Sequence, residues 1–127
     1  MIEVCLYFMM NNLHPIRDYI VPGKRAHLVG IGGVSMSPLA EVLHNAGVVI
    51  SGSDLHESAA VSHLRSLGIP VVLGHRGESV QGAGCVIRTA AVHDDNPEIA
   101  AARAAGIPVF ERAEAWGAIM RRYEHAL

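Results

Sequence analysis

Cysteine is scarce in this chain of 127 residues: Cys5 and Cys85 are its whole complement. That is too few for a disulfide framework and in keeping with a reducing cytoplasm, where we place the protein. Lysine is scarcer still. Lys24 is the single one, so no Gly-x-x-x-x-Gly-Lys-Ser/Thr loop exists to cradle ATP phosphates. Arginines are scattered without a basic run and the formal charge is −2, which argues against nucleic acid as a partner. Only 17% of residues are charged while half are hydrophobic, which excludes a disordered chain. No apolar run approaches the roughly 18 residues of a membrane span, so no membrane association is expected. Residues 4–10 are apolar but short, follow Glu3 and lead to no small-residue cleavage site, so they do not read as a signal peptide. Eight histidines occur without an HExxH pattern or a close cysteine pair, so no metal site is expected. No nucleophile elbow or catalytic dyad is visible, and no residue is assigned a catalytic role.

The chain is organised around Val29-Gly30-Ile31-Gly32-Gly33-Val34-Ser35-Met36-Ser37. Residues 26–31 before it are a short apolar run that reads as a buried strand. Leu39, Val42, Leu43 and Ala46 after it fall on one face of a helix. The glycines therefore occupy a strand-to-helix turn, where a phosphate can approach backbone N–H groups at a helix N-terminus. Pro38 belongs in the first helical turn, and Ser35 or Ser37 is placed to cap it. Gly30-x-Gly32-x-x-Ser35 is a dinucleotide-type fingerprint with serine in the last place, and Asp54 follows about 20 residues on, at the end of a second strand. A branched side chain at Gly32 is expected to block such a cradle. The competing role for Asp54 is to cap the helix or loop after it.

The remaining pattern is regular. We read a short helix at residues 12–21, strands at 27–31, 48–51, 71–73, 84–90 and 107–110, and helices at 34–46, 58–67, 96–105 and 113–123. Gly47, Gly68 and Gly106 are the helix stops, and Asn96-Pro97-Glu98 reads as N-cap, proline at N1 and an acid in the first turn. Trp116, Ile119, Met120 and Tyr123 share one face of the last helix. The alternation predicts an α/β, Rossmann-like fold, a parallel sheet of about five strands with helices on both faces. We read residues 1–22 as a tail with a short helix and 23–127 as one domain. Ligands of such sheets bind beyond the carboxyl ends of the strands. The candidate binding residues there are Gly30, Ile31, Gly32, Gly33, Val34, Ser35, Met36, Ser53, Asp54, His75, Thr89, Ala90 and Ala91.

The run from His27 to Ser37, with Ala40-Glu41-Val42-Leu43, resembles the opening of the UDP-N-acetylmuramate–L-alanine ligases of the Mur ligase family. Ser51-Gly52-Ser53-Asp54-Leu55, Gly74-His75-Arg76, Asp95-Asn96-Pro97-Glu98, Gly106-Ile107-Pro108-Val109 and Arg112-Ala113-Glu114 follow in the same order and spacing. The resemblance runs from about residue 12 to 122. It implies the N-terminal, UDP-substrate-binding domain of a three-domain cytoplasmic ligase of peptidoglycan synthesis. Residues 30–36 would hold the pyrophosphate of UDP-N-acetylmuramate, Ser53 and Asp54 the ribose or base side, and His75 and residues 89–92 the uridine pocket. ATP and magnesium would bind in a central domain, so no cofactor is assigned to this chain. In the family the lactyl carboxylate is phosphorylated and then attacked by the alanine amine, and the residues for those steps lie in the other domains. This chain alone is expected to be inactive. Ser35 stands where the family commonly has glycine, and Arg88-Thr89-Ala90 where an apolar residue and two serines are usual. An NAD-binding domain of an oxidoreductase or redox sensor shares Gly30, Gly32 and Asp54 but not the later motifs. A regulatory module that keeps the fold without the ligand is a third reading. The exposed face of the last helix is a candidate surface for homo-oligomerisation.

Overall fold

Ala26 and Leu28 pack into one apolar cluster and Val29 into another, because successive residues of a strand face opposite sides of the sheet. A computed structural model describes residues 15–126, and side chains as far as Arg122. Strands β1 (Arg25–Val29), β2 (Val49–Asp54), β3 (Val71–Leu73), β4 (Cys85–Arg88) and β5 (Val109–Glu111) form one sheet in the order β3-β2-β1-β4-β5. Every pairing is parallel, with Ala26 opposite Ile50 on one side and Cys85 on the other. Helices α1 (Met36–Asn45), α2 (Ala59–Ser66), α3 (Pro97–Ala104) and α4 (Arg112–Ala126) complete the expected α/β architecture.

The core lies in two layers. Leu39 and Leu43 of α1, Val61 and Leu64 of α2, and Ala115, Ala118 and Ile119 of α4 cover one face with Leu28, Ile50 and Ile87. Ile99 and Ala102 of α3 cover the other with Val29, Val80 and Val86. Each fully buried aliphatic side chain contributes about 1.5–3 kcal/mol against leaving it in water. Cys85 is among these residues, and burial pushes its thiol up to about 12, so it is not a reactive group.

Several boundaries shift from the sequence reading. Strand β1 stops at Val29 because Gly30 turns the chain at φ +77°. Strand β2 runs on to Asp54, held by β1 and β3 on either side. Strand β4 ends at Arg88, before Thr89 opens a turn closed by Val92 N–H on its carbonyl at 3.0 Å. The helix expected over 12–21 falls partly outside the described residues. Its remainder is a single 3-10 turn, Ile16–Asp18. On α4, Met120 faces solvent, Trp116 is half-buried against the core, and Tyr123 lies beyond the described side chains.

The sheet order reverses between β1 and β4. One branch of the chain runs outward through β2 and β3, and the other returns to β4 and β5. The crevice beyond the carboxyl ends of β1 and β4 is where such sheets place ligands. The glycine loop and the turn at residues 89–92 both open there.

Candidate functional site

The glycine loop is tied down by the end of β2. The Ser53 carbonyl accepts both Gly30 N–H (2.8 Å) and Ile31 N–H (3.0 Å), and Asp54 Oδ2 accepts Gly32 N–H at 2.8 Å. Gly33 N–H returns to the Gly30 carbonyl at 3.0 Å, and Ser37 N–H starts α1 on the Gly33 carbonyl at 2.9 Å. The N–H groups of Val34 and Ser35 have no partner among the described residues, and Val34 is 97% exposed. Ser35 holds the N-cap position of α1, but its side chain makes no capping bond. Its hydroxyl instead accepts from Arg112 Nη1 at 2.7 Å, across from the start of α4. Two open N–H donors, a helix N-terminus and a guanidinium thus converge where an anion would lie.

Gly32 is glycine for a packing reason. A Cβ there would meet Asp54 Oδ2 at 2.8 Å and Val61 Cγ2 at 2.9 Å. It would press on β2 and α2 and not enter the open side of the loop, as the sequence reading supposed. Gly52 is similar, since a Cβ would meet Ile31 side-chain atoms from 2.5 Å. Asp54 is engaged at both oxygens, on Gly32 N–H and on its own neighbour's N–H at Leu55 (2.7 Å). Each carboxylate oxygen keeps a further lone pair for a ligand hydroxyl.

On the α3 face of the sheet lies a buried polar chain that the sequence reading did not find. Arg25 Nε donates to Ser51 Oγ at 3.1 Å, and Ser51 Oγ meets His27 Nδ1 at 3.0 Å. His27 Nε2 lies 2.8 Å from Glu98 Oε1, and Ser53 Oγ donates to the same oxygen at 2.6 Å. Arg76 N–H reaches Glu98 Oε2 at 3.0 Å, and His75 Nδ1 lies 2.9 Å from Ser53 Oγ. Glu98 and Ser53 have no solvent exposure. Burial alone would raise the Glu98 carboxyl, but the donors of His27, Ser53 and Arg76 outweigh it and hold the group below its ordinary value. Asn96 caps α3 as expected, its Oδ1 accepting Glu98 N–H at 2.9 Å. The Glu98 side chain, read only as a first-turn acid, is the centre of this network. The available signal was period-two placement of His27, Ser51 and Ser53 in strands expected to be buried, since polar groups there need partners.

The structure therefore joins Gly30, Ile31, Gly32, Ser53, Asp54 and His75 by direct hydrogen bonds, with Ser53 bonding the loop through its carbonyl and His75 through its hydroxyl. Thr89, Ala90 and Ala91 sit at the end of β4, and no hydrogen bond links them to the loop among the described residues. Arg88 beside them donates to Asp94 and to the Val92 carbonyl, and its Nε lies 3.4 Å from Glu111 Oε1. The hydrogen bond and charge of Arg88 hold the exposed Asp94 below its ordinary value, with a smaller contribution from Arg103. Arg88, Ala90, Val92, His93, Asp94 and Glu111 line a shallow depression there. Among the described residues no group of three or more His, Cys, Asp or Glu side chains could hold a metal. None of their helices is long and apolar enough to cross a membrane.

A parallel sheet of this order, with a glycine turn into a helix N-terminus at its reversal, is a Rossmann-like α/β domain. The chain belongs to the Mur ligase family: the model described as Mur ligase family, catalytic domain, matches residues 25–124. It is 52% identical over 104 residues to a UDP-N-acetylmuramate–L-alanine ligase of Legionella pneumophila (strain Paris), covering 82% of this chain and 22% of that protein. It is 55% identical over 98 residues to the ligase of the same name from Bordetella petrii, covering 77% of this chain and 21% of that one. Among solved structures, UDP-N-acetylmuramate-alanine ligase from Thermotoga maritima superposes with a TM-score of 0.74 at 37% identity, over 77% of this chain and 23% of that one. The chain thus spans about a fifth of the length of the relatives it matches.

Proposed function

We propose that this chain forms the UDP-substrate domain of a cytoplasmic UDP-N-acetylmuramate–L-alanine ligase, with residues 23–127 as that domain. The observation that carries the reading is the convergence of the open Val34 and Ser35 N–H groups with Arg112 at the glycine loop, inside the span matched by the family model. The pyrophosphate of UDP-N-acetylmuramate would lie against those donors, along residues 30–36. Asp54 would accept ribose hydroxyls through its spare lone pairs, and His75, Thr89, Ala90 and Ala91 would line the base side. The open position of the site at the sheet reversal supports this assignment.

ATP and magnesium do not fit the residues of this chain. The single lysine precedes β1, and no cluster of acidic or imidazole ligands is present among the described residues. In a full-length ligase those groups, and the activation of the lactyl carboxylate that lets the alanine amine attack it, would belong to other domains. This chain binds and orients the UDP end, and alone it is inactive.

Calorimetric titration of the chain with UDP-N-acetylmuramate, with NAD and ATP run in parallel, tests the reading. Saturable binding of the UDP-sugar, with none of NAD or ATP, is the expected result. Binding of NAD in its place would overturn it.

A further inference from the structure

The polar chain beneath the site fixes where its protons sit. Ser53 Oγ carries one hydrogen, and its shortest contact is the Glu98 carboxylate at 2.6 Å, an acceptor only. With that hydrogen committed, Ser53 Oγ can meet His75 Nδ1 at 2.9 Å only by accepting, so Nδ1 bears the ring proton. Glu98 cannot turn away, because His27 Nε2 donates to the same oxygen and Arg76 N–H to the other. His27 is itself held from behind. His27 Nε2 faces the Glu98 carboxylate, an acceptor only, and so bears the ring proton, which in the neutral ring leaves Nδ1 to accept the Ser51 hydrogen while Arg25 Nε–H donates to Ser51 Oγ. Every member points the same way, from Arg25 toward Glu98 and from His75 toward Glu98. His75 Nε2 has no partner among the described residues, and it is not among their buried unpartnered atoms, so it is open to solvent at the end of β3.

We propose that Glu98 and Ser53 are positioning residues that hold His75 as its Nδ1–H tautomer and present Nε2 as a bare acceptor to a ligand N–H. The tautomer follows from the network alone. The ligand half rests on the UDP reading above, where the imide N3–H of uracil is such a donor and the ring N3 of cytosine, an acceptor, is not. Selection of a uracil over a cytosine base then comes from a carboxylate buried under the sheet that touches no ligand.

Long-range 1H–15N correlation of the ligand-free 127-residue chain at pH 8 reads the tautomer directly, with His75 assigned through His75→Gln. A protonated Nδ1 and a bare Nε2 are expected. A protonated Nε2, or an even mixture, overturns the proposal without any variant. Ser53→Ala and Glu98→Gln should shift His75 toward the Nε2–H form, whereas a merely structural role would lower the melting temperature and leave the tautomer alone. In calorimetry the chain should prefer UDP to CDP by about tenfold or more, the factor carried by one hydrogen bond, and Ser53→Ala should bring that ratio close to one. Equal affinity for both nucleotides in the parent chain, or an unchanged ratio in Ser53→Ala, overturns the ligand half. If neither nucleotide binds while the tautomer is as stated, the UDP reading fails and with it the ligand half, and the Glu98–Ser53 relay stands.

Discussion

Gly32 and Arg112 sit on opposite sides of the same loop and answer to different forces. Gly32 has no room for a Cβ, which would lie 2.8 Å from Asp54 Oδ2 and 2.9 Å from Val61 Cγ2. Gly32→Ala should therefore lower stability by about 1–3 kcal/mol, the usual cost of forcing a group into a packed site, and Gly32→Val by more. Urea unfolding midpoints check this, and a midpoint equal to the parent's would mean that β2 and α2 yield more easily than their contacts suggest. Weakened ligand binding in such a variant reports a displaced loop as much as a blocked one. Arg112 gives the cleaner test of the anion site, because it is half-buried and its side-chain hydrogen bond among the described residues is to the Ser35 hydroxyl. Arg112→Ala should raise the dissociation constant for UDP by about tenfold, as loss of one charge-assisted hydrogen bond would. Arg112→Lys should recover part of the loss, since a point charge replaces a planar fork. UDP affinity unchanged in Arg112→Ala would remove this residue from the phosphate site.

At the level of elements, much was legible because local chemistry and tertiary packing agree. Strand β3 and the cap of α3 fall where Asn96-Pro97 and the glycines after the helices place them, while Ser58, read as the first residue of a helix, is the N-cap of α2. The glycine loop and Asp54 were legible for the same reason, as a turn chemistry that few other contexts require. What failed was information carried by other elements. Glu98 in the first turn of α3 fits the helix dipole perfectly well as a surface acid. Its burial comes from His27, Ser51 and Ser53 on β1 and β2, far off in sequence. Arg112 likewise reads as the start of a helix, and its partner Ser35 stands 77 residues away. On α4 the apolar stripe was drawn one position wide of the truth: alanines 115 and 118 make the contact with Ile119, and Met120 is 64% exposed. Two substitutions separate the readings. Ile119→Ala should cost about 2–4 kcal/mol, whereas Met120→Ser should stay within about 0.5 kcal/mol of the parent. Thermal melts of the pair decide it, and comparable losses would restore the stripe drawn through Met120.

For the whole molecule, the two faces of the sheet are held by different means, and acid should find the weaker one. The face covered by α1, α2 and α4 is closed by apolar packing, and the Cys85 thiol within it is pushed up by burial and stays protonated through the acid range. The α3 face has a small apolar cluster beside the Glu98 network, which joins β1, β2, α3 and the segment after β3. The folded state holds the Glu98 carboxyl below its ordinary value of 4.5, because its hydrogen-bond donors outweigh the opposing effect of burial. A group depressed on folding contributes stability that is fully present above its unfolded value and is lost as pH falls through the folded one. Stability should therefore hold steady above about pH 5 and fall below pH 4.5 as Glu98 takes a proton and loses an acceptor site. Asp94 is depressed too, but it is exposed to solvent and paired at the surface, so it should contribute little to that slope. Glu98→Gln removes the titrating group while keeping its shape. It should be less stable than the parent at neutral pH by about 1–3 kcal/mol, since one amide oxygen cannot satisfy three donors. Its acid limb should be shallower, so the two curves of urea midpoint against pH converge as the pH drops. Parallel curves would show that the acid sensitivity resides elsewhere, and that the carboxylate beneath the site is not what joins α3 to the sheet.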